Sequence, residues 1–420
     1  MSKNGPKYLN LFAGAGGLSE GFTQAGFTPV AHVEVDTAAC NTLKTRTAYH
    51  WLKSQGRIQE YYDYLEGIIN RIELYSRIPE FQITSVFNKE IGEKTLSELF
   101  RKIDELLDGQ SLDIIVGGPP CQSYSLVGRS RDSNRMRGDH RNYLYIYYAQ
   151  FLKRYKPRYF VFESVLGLLS ANNGGGELYL DNMRQMFRDV GYETEYQVLA
   201  GFKYGILQNR RRIVLVGKKG VTSSFYPKIE EWEPEVTVGE LLHDLPFLEA
   251  GEGSARPCHL GDFQGHYLHD AGITDENTAV TWHWARPQAE RDLEIYRIAV
   301  KQWNENRKRL DYNDLPERLK THKNRRSFLD RFKVVAANLP YSQTIVAHIS
   351  QDGHYYIHPD INQNRSLTPR EAARIQTFPD NYYFESVSET PGYTAAFHQI
   401  GNAVPVLLAR KIAGSLLKLW

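Results

Sequence analysis

The residues best suited to do chemistry begin with Cys121. It closes the run Asp-Ile-Ile-Val-Gly-Gly-Pro-Pro-Cys at 113–121 and is followed by Gln-Ser-Tyr-Ser, ending at Ser125. Ile114 to Val116 has the length and β-branching of a buried strand, and the Gly-Gly-Pro-Pro stretch stops it abruptly. Two successive prolines fix φ twice, so the thiol is aimed from a stiff loop. The carboxyl end of a buried strand is where an open α/β sheet places its chemistry, and a thiol there can serve as a nucleophile. A second reactive group, Glu163, ends the apolar run Tyr159 to Phe162. A carboxylate and a thiol at the ends of neighbouring strands can meet across the sheet edge, and the cost of burying an unpaired charge favours a functional or paired carboxylate. The third group is Gln208, Arg210 and Arg212, just before the apolar run Ile213 to Val216. Residues two apart on an extended segment point the same way, so Arg210 and Arg212 can flank one pocket while Arg211 faces elsewhere.

The elements that must position these groups follow a strand–helix rhythm. Lys7 to Phe12 is a strand that runs into Ala13-Gly14-Ala15-Gly16-Gly17 and then a helix. That is the first unit of a Rossmann-like sheet, with a glycine turn open to NAD, FAD or S-adenosylmethionine. Val30 to Val35 is the next strand, and Glu34 near its end suits a ribose diol. Ile114 to Val116, Tyr159 to Phe162, Tyr192 to Leu199 and Ile213 to Val216 supply further strands, and Asn142 to Leu152 a helix. From about 48 to 110 the chain reads as helical, with an aromatic stripe at Tyr61, Tyr62 and Tyr64 better suited to a core or interface than to a cofactor. Thr368-Pro369-Arg370-Glu371 reads as an N-cap, a first-turn proline and a capping-box acid. The expected class is α/β, with a smaller irregular domain after the sheet.

Bulk composition excludes several classes. A hydrophobic content of 41% with 24% charged residues is that of a globular chain, and no apolar run is long enough to span a bilayer. The first residues lack a signal-peptide core, and Cys40, Cys121 and Cys258 have no metal-ligand spacing. A cytoplasmic monomer without membrane contact or metal is expected. The net charge of +2 means that any phosphate-binding surface is local. Local basic segments exist. The polar, glycine-punctuated stretch 126–141 carries Arg129 and Arg141, and suits a loop that closes over a phosphate backbone. The run Thr321 to Arg326 ends in Arg325 and Arg326, Arg307-Lys308-Arg309 is a second run, and Trp282, His283, Trp284 and Arg286 interleave basic and aromatic residues.

Taken together, Leu-Phe-Ala-Gly-Ala-Gly-Gly, Gly-Gly-Pro-Pro-Cys-Gln-Ser-Tyr-Ser, Glu163-Ser164-Val165, Gln-x-Arg-x-Arg at 208–212, Arg365 to Asp380 and Gly-Asn-Ala-Val-Pro at 401–405 resemble the motifs of the DNA cytosine-C5 methyltransferases, in the same order. The resemblance covers 7–46, 112–217 and 365–420. It implies a catalytic domain over 1–217 with a helical insertion at about 48–110, a target-recognition domain over 218–351 and a returning segment over 352–420. It implies S-adenosylmethionine as cofactor, held by Phe12, Ala15, Gly17, Glu34, Val35, Glu90, Pro120, Leu144, Asn402 and Val404. Duplex DNA is the implied substrate, contacted through Ser125, Arg129, Arg141, Arg325 and Arg326, and a restriction endonuclease acting on the same site is a possible partner.

The resemblance also assigns roles. Cys121 adds to C6 of a flipped cytosine, Glu163 stabilises the base at N3, Arg212 holds O2, and Arg210 and Gln208 support the site. The family asparagine after the glutamate is Ser164 here, and Val35 stands where some members carry an aromatic. Three other readings are a tRNA cytosine-C5 methyltransferase, a catalytically weakened DNA-binding relative, and a dinucleotide oxidoreductase. The last explains only the glycine turn.

Overall fold

The computed structural model describes residues 5–120, 143–172, 176–220, 224–261, 265–275, 279–323, 325 and 328–420. Its centre is a sheet of seven strands: β1 (Lys7–Leu11), β2 (Thr28–Glu34), β3 (Val86–Asn88), β4 (Ile114–Gly117), β5 (Tyr159–Ser164), β6 (Tyr192–Ala200) and β7 (Arg211–Lys219), in the order β3-β2-β1-β4-β5-β7-β6. The first five are parallel, and β7 runs antiparallel to both β5 and β6. A dinucleotide-binding sheet has the order 3-2-1-4-5-6. The reversed strand inserted beside β5 therefore removes the oxidoreductase alternative at the level of topology. It also brings the start of β7 to the carboxyl ends of β1–β5, because Ser164 pairs with Ile213.

Both faces of the sheet are covered, so its strands read as apolar on both sides. Tyr8, Ile114, Val116, Tyr159 and Val161 belong to one buried cluster, and Leu9, Leu11, Ile115, Phe160 and Phe162 to the other. This is the two-residue alternation of a strand expressed in packing. Helix α1 (Gly17–Gln24) follows the glycine turn, and α2 (Thr37–Ser54) starts at Asp36, whose carboxylate accepts from the Ala39 N–H at 2.8 Å. Glu20 on α1 binds Arg46 on α2, with Nη2 to Oε1 at 2.6 Å, and His50 Nε2 lies 2.8 Å from its other oxygen.

The expected helical insertion is narrower than 48–110. It consists of α3 (Gln59–Glu66), α4 (Arg71–Ser76) and α5 (Glu80–Thr84), and β3 and α6 (Glu93–Leu107) return to the sheet. A three-residue strand has too little periodicity to stand out between helices. The aromatic stripe is core: Tyr61 is fully buried, its hydroxyl donates to Asn381 O at 2.8 Å, and Tyr64 donates to Glu385 at 2.5 Å. The insertion is thus docked on the chain's last segment.

The opposite face carries α7 (Leu144–Tyr155) and α8 (Tyr179–Asp189). Beyond β7 the chain is mostly irregular, with α9 (Tyr267–Asp270) and α10 (Glu290–Asn306). Residues of α10 form a separate small core with Leu310, Tyr312, Leu315, Leu319, Phe332 and Ile357, whereas Phe225, Val238, Leu268 and Trp282 join the main core. The independently packed part is therefore smaller than the interval 218–351.

The returning segment is α11 (Pro369–Ile375), α12 (Tyr393–Asn402) and α13 (Val406–Leu417). The Thr368 hydroxyl accepts from the Glu371 N–H at 3.2 Å and the Glu371 carboxylate accepts from the Thr368 N–H at 2.7 Å, completing the expected capping box. Three arginines around this helix are fully buried and saturated. Arg365 forms a fork on Glu371, Arg370 reaches Thr281, Pro379 and Tyr382, and Arg374 holds Asp244 and Asp380. Residues 393–417 are apolar enough to cross a membrane, but the helix breaks at 403–405 and two-thirds of that stretch is packed inside the protein.

Candidate active site

Glu163 ends β5, and Arg212 lies near the start of β7 in the neighbouring antiparallel strand. The two meet at the sheet's carboxyl edge, with Arg212 Nε 2.7 Å from Glu163 Oε1 and both side chains nearly buried. The loop leaving β4 passes directly against them. A side-chain carbon on Gly118 would collide with the Glu163 carbonyl and crowd its carboxylate, so this position must be glycine for the chain to reach Pro119 and Pro120 by this route. Cys121, Ser125, Arg129, Arg141 and Arg326 lie outside the described residues. Beside Glu163, the Ser164 hydroxyl is buried with no partner among the described residues.

The glycine turn occupies the same edge. Phe12 adopts a left-handed conformation with φ of 54°, a backbone cost of order 1–3 kcal/mol that persists where surrounding structure enforces it. Gly14 N–H donates to Glu34 Oε2 at 2.7 Å, and the Val35 and Asp36 N–H groups donate to Oε1 at 2.9 and 2.8 Å. Burial pushes the Glu34 carboxyl up, opposed by these three amide donors. A carboxylate offers about four acceptor positions, so roughly one remains for an incoming hydroxyl. Val35 beside it is exposed. Glu90 is exposed two residues beyond β3, at the edge where Glu34 pairs with Asn88.

The far wall comes from the returning segment. A side-chain carbon on Gly17 would collide with the carbonyl of Val404, which explains the glycine and puts the 401–405 turn against the first loop. Asn402 is exposed and Val404 half-buried; Ala15 and Leu144 are buried, and Pro120 is exposed. Phe12, Ala15, Gly17, Glu34, Val35 and Glu90 thus follow the carboxyl ends of β1, β2 and β3, Pro120 follows β4, and Val404, two residues after Asn402, packs on Gly17, while Leu144 begins α7.

Arg211 faces solvent as expected, and Arg212 is half-buried at the start of β7. Gln208 and Arg210 are buried, and their polar groups are engaged by protein atoms of 345, 375–376 and 401–403. Gln376, fully buried and bonded to both Gln208 and Ile400 O, is a member of this cluster that sequence reading did not single out. The Trp282–Arg286 cluster is also corrected: Trp282, His283 and Arg286 are buried, and His283 bonds Pro246 O and the Thr368 hydroxyl, so these residues build the core and not a nucleic-acid surface. Arg325 is exposed and pairs with Glu317 at 3.1 Å, a surface ion pair screened by solvent. Among the described residues no cluster of metal-ligating side chains is present.

Comparison with known proteins fits this geometry. The family model described as C-5 cytosine-specific DNA methylase matches residues 7–65 and 79–418, leaving out only the middle of the helical insertion within that span. The chain is 40% identical to Type II methyltransferase M.Bpa9945I of Bacillus paralicheniformis, across 96% of this chain and 97% of that protein. It is 30% identical to Type II methyltransferase M.XorII of Xanthomonas oryzae pv. oryzae, across 98% and 85%. Among solved structures, a prophage-encoded E. coli protein shares the fold at a TM-score of 0.62 with 20% identity, covering 99% of each chain. The S. pombe Dnmt2 methyltransferase does so at 0.52 with 13% identity, again covering 99% of each. With this match and this site, the chain belongs to the C-5 cytosine-specific DNA methylase family and is a DNA (cytosine-5-)-methyltransferase.

Proposed function

We propose that the enzyme methylates C5 of a cytosine swung out of duplex DNA, through a transient bond from Cys121 to C6, and that S-adenosylmethionine is the methyl donor. The observation that carries this reading is the Glu163–Arg212 pair at the carboxyl edge, with Gly118 leading the nucleophile loop past it. Cytosine C5 is a poor nucleophile until C6 is saturated. Cys121 as thiolate forms the C6–S bond, and the electron pair displaced toward N3 meets a proton held by Glu163. Arg212 fixes the Glu163 carboxyl and presents N–H groups to O2 of the base. C5 then has enamine character. The glycine turn, the Glu34 carboxylate and the turn at 401–405 fit an adenosyl group with a ribose diol, and when bound there S-adenosylmethionine supplies the electrophilic methyl carbon. Once C5 carries the methyl group, N3 returns its proton to Glu163, and transfer of the C5 proton to water re-forms the C5–C6 double bond and expels the Cys121 thiolate, leaving the enzyme unchanged. The reacting atoms are inaccessible inside a duplex, so the base must leave the stack.

The recognition region is the part of 218–351 beyond the main core, and its exposed Arg325 and the basic 307–309 run supply the phosphate contacts. By similarity to the Type II relatives, a cognate restriction endonuclease acting on the same site is the expected partner, in a cytoplasmic setting. Bisulfite sequencing of DNA from cells expressing the chain tests the reading. Methylation of one cytosine in one recurring sequence is expected; unmethylated DNA together with methylated tRNA in the same cells would move the substrate to RNA.

A further inference from the structure

Gln208 and Arg210 stand four and two positions before Arg212, and both are tied to segments remote from it in sequence. Gln208 Oε1 accepts from the Ile345 N–H at 2.9 Å, while its Nε2 donates to Ile375 O at 3.1 Å and to Gln376 Oε1 at 3.0 Å. Arg210 Nη1 donates to Ile345 O at 2.6 Å, and Nη2 donates to Ala403 O at 2.8 Å and Gly401 O at 3.4 Å. One buried guanidinium thus grips two segments that are far apart in sequence. The first, 342–345, is where the chain leaves the recognition region; Ser342 bridges Gln208, and the Thr344 hydroxyl donates to Asn209 O at 2.5 Å. The second, 401–403, immediately precedes Val404, whose carbonyl lies against Gly17 of the glycine turn. Two residues further along, near the start of β7, Arg212 meets Glu163.

We infer that Arg210, seated by Gln208, is a positioning residue that couples the two ligand sites, so that cofactor affinity depends on whether DNA occupies the recognition region. This rests on the functional reading above, in which DNA engages the recognition region and the 402–404 turn contacts the cofactor. The chemistry suits the task. A guanidinium presents donors in a rigid fork, so movement of Ile345 is passed to Ala403 through one planar group, whereas an ammonium on a flexible stem cannot hold both carbonyls in fixed relation. Coupling of this kind is reciprocal.

The experiment uses the full chain and a duplex carrying the sequence found by bisulfite mapping, on which wild-type methylation has first been verified. The dissociation constant of S-adenosylhomocysteine is measured by calorimetry with and without that duplex. In the wild type the duplex tightens binding by about 5-fold or more, within the usual span of coupling factors. In Arg210→Lys that ratio falls below about 2-fold, while the affinity for each ligand alone stays within a factor of about 2. Thr344→Val, a near-isosteric change at a half-buried position, gives an intermediate ratio and serves if the lysine variant fails to fold. A ratio of one in the wild type, or a wild-type ratio in both variants, overturns the coupling; because methylation of the same duplex is scored separately, that result leaves the assigned reaction standing.

Discussion

A carboxylate and a guanidinium 2.7 Å apart at a sheet edge are the smallest unit from which this enzyme can be understood. In the proposed reaction Glu163 presents a proton to a ring nitrogen, with the Arg212 guanidinium paired beside it. Glu163→Gln keeps the shape and removes the exchangeable acid. It is expected to lower kcat by about 10²-fold or more, the usual worth of a positioned acid, with S-adenosylhomocysteine affinity unchanged; single-turnover methylation and calorimetry read the two effects, and an equal loss of both would assign Glu163 to cofactor binding. At this scale much was legible. A glutamate ending one apolar run, a cysteine ending another, and arginines two apart are visible in the sequence because their spacing is tied to strand geometry. The fate of Arg210 was not, since its partners lie more than 130 residues away, at Ile345 and Ala403.

Elements place these residues by close backbone contact. The glycine turn abuts the 401–405 turn so tightly that Gly17→Ala must displace Val404, and cofactor affinity is expected to drop by at least about 10-fold, or 1.4 kcal/mol, while DNA binding persists; filter binding on the same variant checks the second half. Helix α11 is fixed by its cap. Thr368→Ala leaves the Glu371 N–H and a His283 bond unpaired inside the core, for an expected loss of about 2 kcal/mol in urea unfolding, against about 1 kcal/mol at a typical cap. The Thr-Pro-x-Glu signature is local chemistry and could be read directly from the sequence. Trp282, His283 and Arg286 could not be placed that way, because a basic and aromatic cluster looks the same whether it faces a phosphate or fills a core. Strand β3 was hidden for the opposite reason: its pattern is too short to distinguish from the helices around it.

On the scale of the whole molecule, the fold carries buried histidines that must remain neutral. Burial lowers the pKa of His32 to about 4 and that of His358 to about 4, below the ordinary 6.5. Because the folded values are depressed, the unfolded chain takes up protons first on acidification. The stability these groups contribute is complete above about pH 6.5 and is lost progressively as pH falls toward 4. Burial would raise the Glu371 carboxyl, but the Arg365 guanidinium holds it well below its ordinary range, so its contribution is likewise lost in acid. The unfolding free energy from urea titration is expected to fall between pH 7 and pH 5 by on the order of a few kcal/mol through the two histidines, with the Glu371 loss following below about pH 4.5; a flat profile would contradict neutral burial. The near-balanced net charge of +2 belongs to the same scale. It leaves DNA attraction to local arginines, whose number the salt dependence of binding would report.

The central claim is that Cys121 bonds to cytosine C6, and trapping that bond tests it most directly. A duplex bearing 5-fluorocytosine at the mapped position has no C5 proton to lose, so after methyl transfer the thiolate cannot leave. Incubated with S-adenosylmethionine, the wild-type enzyme is expected to give a denaturant-resistant protein–DNA adduct whose peptide map places the attachment at Cys121, and Cys121→Ala is expected to give none while still binding S-adenosylhomocysteine. An adduct that survives the alanine substitution, or a wild-type enzyme that methylates the normal duplex yet never traps the fluorinated one, would contradict the account.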